Sequence, residues 1–273
     1  MDRAELLIST RRLAAIAARP GVCVVDVRWS LDDPDDGERE YERAHIPGAL
    51  YLHWYRDLSD PDDPIDGQIA PPKRFRETME RAGIGDDTLV VAYDDNAIFM
   101  AARLVWCLYY YGHTKARWLE GGFPRWEREG GPVEPGRVEA PKAASFTPRV
   151  HGDLRRTKED VLRIVGGEPT VLLDCRIDRT WLETGLHIPG ARRLPAPSLV
   201  SENGALRPAD EIAALAREAG ARPDEPVVLY CGGGVSASAA YLALRSAGFA
   251  NLSVYDGSWA EWGADPKTPK EAH

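Results

Sequence analysis

Cys231 ends the apolar run Val227-Val228-Leu229-Tyr230 and is followed at once by Gly232-Gly233-Gly234, Val235, Ser236 and Ala237. A strand that ends at a cysteine, a glycine run and an immediate helix start form a backbone nest whose N–H groups turn inward. Such a nest stabilises an anion, so it should lower the thiol pKa and hold any negatively charged adduct on it. Cys231 is therefore the candidate nucleophile. Gly232, Gly233, Gly234, Val235 and Ser236 form the candidate anion-holding loop, with the Ser236 hydroxyl read first as a helix cap.

The elements that must position this loop read as βα units. In the second half of the chain, a helix from about Lys158 to Val165 begins after Thr157, and a strand follows at Val171 to Asp174. Next come a helix from about Pro208 to Ala219, strand Val227 to Tyr230, a helix from about Val235 to Ala247 punctuated by Gly248, and strand Leu252 to Tyr255. Short apolar, β-branched strands alternating with helices imply an α/β fold with a parallel sheet covered on both faces.

The chain also repeats itself. His45-Ile46-Pro47-Gly48-Ala49 recurs as His187-Ile188-Pro189-Gly190-Ala191, an offset of 142 residues. Val24-Val25-Asp26-Val27-Arg28 matches Leu172-Leu173-Asp174-Cys175-Arg176 upstream, Tyr93 matches Tyr230, and Gly121-Gly122-Phe123-Pro124-Arg125-Trp126 matches Gly257-Ser258-Trp259-Ala260-Glu261-Trp262. Landmarks in one order at nearly constant spacing mark a duplicated domain. The domains are expected at 1–130 and 151–273, with the Pro- and Gly-rich stretch 131–150 as the linker.

Both His-Ile-Pro-Gly-Ala motifs, the loop from Cys231 to Ala237 and the ending Tyr255-Asp256-Gly257-Ser258-Trp259-Ala260-Glu261-Trp262 together resemble the rhodanese superfamily. The resemblance is to its tandem-domain thiosulfate and 3-mercaptopyruvate sulfurtransferases. It covers nearly the whole chain. It implies two tandem rhodanese-like domains, each a parallel sheet flanked by helices, and a loop cysteine that accepts sulfane sulfur as a persulfide and passes it to cyanide, a small thiol or thioredoxin. It also implies that the second domain is catalytic and the first is not. Asp94, followed by Asp95-Asn96-Ala97, stands where the first copy would carry its nucleophile, so that domain is expected to be a scaffold and one wall of the cleft.

Within the family, a Cys-Arg-Lys-Gly loop goes with thiosulfate, and Cys-Gly-Ser-Gly or Cys-Gly-Gly-Gly with 3-mercaptopyruvate. Gly232 and Gly233 place this chain with the second group, and thiosulfate is the alternative donor. An uncharged loop leaves the donor's carboxylate to be met elsewhere, for which a planar arginine is apt. Arg176 and then Arg179 are the expected partners; an ion pair of Arg176 with Asp174 or Asp178, and a surface position for Arg179, are the alternatives. His45 is the remaining candidate for substrate contact, set against a role in bonding its own turn. Gly233 replaces the serine of Cys-Gly-Ser-Gly, so no triad can run through that position.

Composition excludes several other functions. With 34 basic against 43 acidic residues, the net charge of −9 repels polyanions, so nucleic acid and anionic membrane are not expected partners. The four cysteines, at 23, 107, 175 and 231, form no Cys-x-x-Cys pair. Neither a disulfide framework nor a metal site is indicated, no cofactor is required, and a cytoplasmic location is expected. The first residues lack the basic-then-apolar order of a secretory signal and read as part of the first helix. A phosphatase of the same architecture would need a Cys-x5-Arg loop, and Ala237 stands here at the position of that arginine. A non-catalytic sulfur-sensing or partner-binding module is the reading from another class, and the presence of Cys231 argues against it.

Overall fold

The computed structural model describes residues 3–95, 99–139, 141 and 144–272; Asn96 and Ala97 of the first-domain loop lie outside the described residues. The first half carries strands β1 (Leu7–Ile8), β2 (Val22–Asp26), β3 (Leu50–Tyr51), β4 (Leu89–Tyr93) and β5 (Ala116–Leu119), in the spatial order β1-β5-β4-β2-β3 and all parallel. The second carries β6 (Arg155–Arg156), β7 (Val171–Asp174), β8 (Leu186–His187), β9 (Arg192–Arg193), β10 (Val227–Tyr230), β11 (Leu252–Tyr255) and β12 (Glu271–Ala272). Five of these form a second parallel sheet, β6-β11-β10-β7-β9, and β8 pairs antiparallel with β12.

The two sheets repeat one another down to single hydrogen bonds. The Tyr93 and Tyr230 hydroxyls each accept the N–H of the Ile in the His-Ile-Pro-Gly turn earlier in the same domain, at 3.2 Å. Trp126 and Trp262 each donate from Nε1 to a proline carbonyl at 2.8 Å. The duplication inferred from spacing is thus a duplication of the polar framework as well.

Helix Lys158–Val165 is capped at Thr157, whose hydroxyl and Asp160 form a reciprocal capping box. Helices Met100–Tyr110 and Val235–Ser246 pack on each other at the domain boundary, each following the central strand of its own sheet. Alanine and serine at 236–240 let the backbones approach, and the main apolar core runs continuously through both domains. The cluster Trp106, Tyr109, Tyr110 and Tyr111 is buried in this core.

The described part of 131–150, between the two domains, runs as a strap bonded along the first domain. Glu134 bridges His45, Gly136 donates to the Glu42 carbonyl, Arg149 donates to the Tyr111 carbonyl, and Phe146 is buried against Phe75. Among the described residues no helix is long and apolar enough to cross a membrane.

Candidate active site

Cys231 sits at the carboxyl end of β10, the position at which open α/β sheets gather their ligands. Its N–H donates to the Ser258 Oγ at 3.1 Å, and its carbonyl accepts the Trp259 N–H at 2.9 Å. The Gly232 carbonyl accepts the Ala260 N–H at 2.9 Å. Ser258 is itself buried at φ +52° and donates to the Tyr255 carbonyl at 2.8 Å. The Tyr255-Asp256-Gly257-Ser258-Trp259 segment therefore acts as a bracket for the cysteine loop.

Gly234, at φ +81°, turns the chain into the helix, and no side chain caps that helix. The serine-cap reading of Ser236 is corrected: the residue lies inside the helix, and its side chain borders the pocket. The N–H groups of Gly233 and Ala237 draw the pKa of the Cys231 thiol down, and Arg103 acts in the same direction. Burial outweighs them, with Asp174 adding to it, so the net shift is upward from the ordinary 9.0. The expectation of a thiol with a lowered pKa is thus overturned, because Cys231 is 2% exposed and desolvation of the thiolate is the largest effect. The nest still favours the anion; it offsets part of the burial cost.

The first copy places a carboxylate at the equivalent point. Asp94 occupies the position of Cys231, is buried, and its Oδ2 accepts the Ala101 N–H at 2.8 Å at the start of helix Met100–Tyr110. Its carbonyl accepts the Phe123 N–H at 2.8 Å, as that of Cys231 accepts Trp259. One domain fills its nest with a tethered carboxylate, and the other leaves a thiol there.

Cys231 opens into a pocket of about 70 Å³. Leu31 and Trp54 of the first domain form one wall, and Ile177, Thr180, Val235 and Ser236 the other. A cavity so far below the ~300 Å³ at which drug-sized sites begin takes only a small molecule. Among the described residues no charged side chain lines it. A larger depression of about 760 Å³ lies at the other end of the second sheet, bordered by Pro226, Asn251 and Leu252, away from the cysteine.

Of the sequence-predicted donor contacts, two are corrected. Arg176 is wholly buried: Nε and Nη2 bond both oxygens of Asp174 at 2.6–3.0 Å, Nη2 also reaches the Leu186 carbonyl at 2.9 Å, and Nη1 donates to Thr184 at 2.7 Å. Its guanidinium is committed to the sheet and lies over Trp259 and Trp181 rather than in the pocket. Arg28 makes the same bidentate pair with Asp26. His45 is also buried: Nδ1 bonds the Tyr41 carbonyl at 2.8 Å, the ring stacks on Tyr41 at 4.2 Å, and Nε2 is 3.5 Å from Glu134 of the connecting strap. His187 likewise bonds its own turn, at the Ile188 carbonyl. Arg179 is different. It is exposed on helix Asp178–Thr184, which also carries Thr180 of the pocket, and it bonds Asp32, beside Leu31, at 3.0 Å across the domain boundary.

Trp54 and Leu31 went unrecognised in the sequence, as did the buried ion pair behind the loop, Arg103 Nη1 to Asp256 Oδ1 at 2.6 Å. Trp54 carried one weak signal, the adjacent aromatics Trp54-Tyr55. The other cysteines are unsuited to the role: burial pushes Cys23 and Cys107 up to about 12 and Cys175 well above its ordinary value. Among the described residues no cluster of three His, Cys, Asp or Glu is placed to hold a metal ion.

A family model of the rhodanese-like domain matches residues 9–129 and 157–265, most of both halves. The chain belongs to the rhodanese family. This rhodanese is 33% identical over 263 residues to the 3-mercaptopyruvate sulfurtransferase of Escherichia coli K12, with 92% of each chain covered. It is 32% identical over 253 residues to the thiosulfate sulfurtransferase of Gallus gallus, covering 89% of this chain and 86% of that one. Its fold superposes on the crystal structure of SseA from Escherichia coli, described as a 3-mercaptopyruvate sulfotransferase, with TM-score 0.84 and 30% identity over 93% of this chain and 98% of that one.

Proposed function

We propose that this rhodanese is a sulfurtransferase that takes sulfur from 3-mercaptopyruvate onto Cys231 and hands it to a thiophilic acceptor. The observation that carries the reading is the small, uncharged pocket over a nest-bound thiol. The Cys231 thiolate attacks the donor sulfur, the C–S bond breaks with its electron pair passing onto the methylene carbon as the enolate of pyruvate, and that methylene carbon takes the proton of the donor's S–H to give pyruvate. The Cys231 persulfide remains, its outer sulfur bearing the negative charge that the loop N–H groups favour. Cyanide, a small thiol or thioredoxin then removes the outer sulfur and returns the thiolate.

The neutral lining favours a donor with one negative charge over dianionic thiosulfate, for which the pocket offers no cation. Arg179 is the guanidinium closest in sequence to the pocket wall, and it meets the donor's carboxylate by exchanging Asp32 for it. Asp32 and Arg179 are both exposed, so that exchange costs little. Free, buried thiols suit a reducing compartment such as the cytoplasm.

The test is thiocyanate formation from cyanide with each donor, for the parent and for Cys231→Ser. Mercaptopyruvate ahead by roughly tenfold, equivalent to about 1.4 kcal/mol of transition-state preference, with an inactive variant, supports the reading. Thiosulfate ahead overturns the donor assignment, and activity in Cys231→Ser overturns the nucleophile.

A further inference from the structure

The first domain contributes a charge to the loop as well as an apolar wall. Arg103 projects from helix Met100–Tyr110 and is 1% exposed; its Nη1 lies 2.6 Å from Asp256 Oδ1, and its Nη2 donates to the Gly67 carbonyl at 3.2 Å. Asp256, fully buried in the bracket segment, also accepts the Ile69 N–H at 3.1 Å on Oδ2, with Arg155 Nε at 3.4 Å from the same oxygen. Gln68 donates to the Asp256 carbonyl at 3.2 Å.

This cluster touches the cysteine loop directly. A Cβ placed on Gly234 would lie 2.7 Å from Asp256 Oδ1 and 2.9 Å from Arg103 Nη1. The guanidinium thus abuts the backbone of the helix start, with no side chain between. A buried cation at that point acts through a weakly screening medium, whereas an arginine kept only for domain packing would be as well placed anywhere along the boundary.

We propose that Arg103, supplied by the domain that lacks its own nucleophile, is the buried counter-charge of the sulfur anion held on Cys231, and that Asp256 sets how much of that charge the sulfur feels. Arg103 is then a positioning residue that acts through the loop and does not touch the donor. The inference rests on Cys231 as the sulfur carrier. It explains why the second domain's site is built against the first domain rather than facing solvent.

The charged and titratable groups around the sulfur come from several elements. Asp174 and Cys175 end the neighbouring strand β7, and Cys107 lies one turn along the Arg103 helix. Asp256 and Arg155 stand behind Gly234, and Arg179 and Asp32 lie in the exposed pair at the boundary. Asp174 opposes the thiolate and Arg103 favours it, beside the loop's own N–H groups.

The experiment is the pH profile of Cys231 alkylation by iodoacetamide, read by peptide mass spectrometry, for the parent, Arg103→Met, Arg103→Lys and Asp256→Asn. It needs no sulfur donor, so it is independent of the transfer reading. Arg103→Met should raise the apparent pKa of Cys231 by about one unit, the lower end of what removing a nearby opposite charge produces, and so slow alkylation about tenfold at a fixed pH below it. Arg103→Lys should restore most of the shift, and Asp256→Asn should move the pKa down. A folded Arg103→Met with the parent profile overturns the proposal. If Arg103→Met does not fold, Asp256→Asn decides: a fall supports the counter-charge, and no change or a rise overturns it. Sulfur transfer without these shifts removes the counter-charge alone, and the shifts without sulfur transfer remove the transfer reading alone.

Discussion

The three glycines after Cys231 should respond differently to the same added methyl group. Gly234 has φ +81°, and an alanine Cβ there would meet Asp256 Oδ1 at 2.7 Å, Arg103 Nη1 at 2.9 Å and the Asp256 carbonyl at 3.1 Å. The left-handed backbone costs about 1–2 kcal/mol for a residue with a Cβ, and crowding a packed interior adds about 1–3 kcal/mol. Neither neighbour can yield, because both belong to a buried ion pair held by other bonds. Gly234→Ala should therefore lose about 2–5 kcal/mol, enough to lower Tm by several degrees at about 2–4 °C per kcal/mol for chains approaching this size. At Gly232 nothing lies within 4 Å of the added Cβ, so Gly232→Ala should melt with the parent. At Gly233 the Cβ meets Trp54 at 3.7 Å, ordinary contact that leaves stability intact but narrows the pocket, so turnover should fall while Tm stays. Thermal unfolding and thiocyanate formation on the three variants make the comparison. Equal Tm values for Gly232→Ala and Gly234→Ala would refute the description of the loop.

Other perturbations follow from the same contacts. Arg176→Met leaves Asp174 buried without its partner and should destabilise by about 3–5 kcal/mol in urea unfolding; a stable variant with a raised KM would return Arg176 to donor binding. Arg179→Ala should change stability by less than about 1 kcal/mol, since the pair with Asp32 is exposed, yet raise KM for mercaptopyruvate several-fold; an unchanged KM removes Arg179 from the site. Burial places the Cys231 pKa above 9.0, so the thiolate is the minor form at neutral pH. Alkylation should then climb about tenfold per pH unit up to that pKa, and a plateau below pH 8 would contradict the burial argument.

Much of this was legible in the sequence because the signals are local. Thr157 announces a helix start, the strand at Val227 to Tyr230 carries its own apolar run, and the triple glycine marks a tight turn at Cys231. The duplication was legible because each motif lies within a short stretch. The repeat held a signal for the buried pairing of Arg176: Asp26 and Arg28 keep the same spacing in the copy that carries Asp94 at the cysteine position, and there too the arginine pairs with its aspartate. Trp54, Leu31 and the Arg103–Asp256 pair were not legible, since each reaches the site from another part of the chain through the fold. The strap at 131–150 bonds through extended backbone, which leaves no periodic trace. The thiol's raised pKa was missed for a similar reason: a nest is readable from glycines, whereas the depth of burial is set by Trp54 and the packed helices.

The most direct test of the account is the mass of each cysteine-bearing peptide after incubation with 3-mercaptopyruvate in the absence of acceptor. One added sulfur atom on the peptide of Cys231, none on those of Cys23, Cys107 and Cys175, and its loss when cyanide is supplied, is the predicted result. Sulfur on another cysteine, or thiocyanate formed with Cys231 never modified, would contradict it.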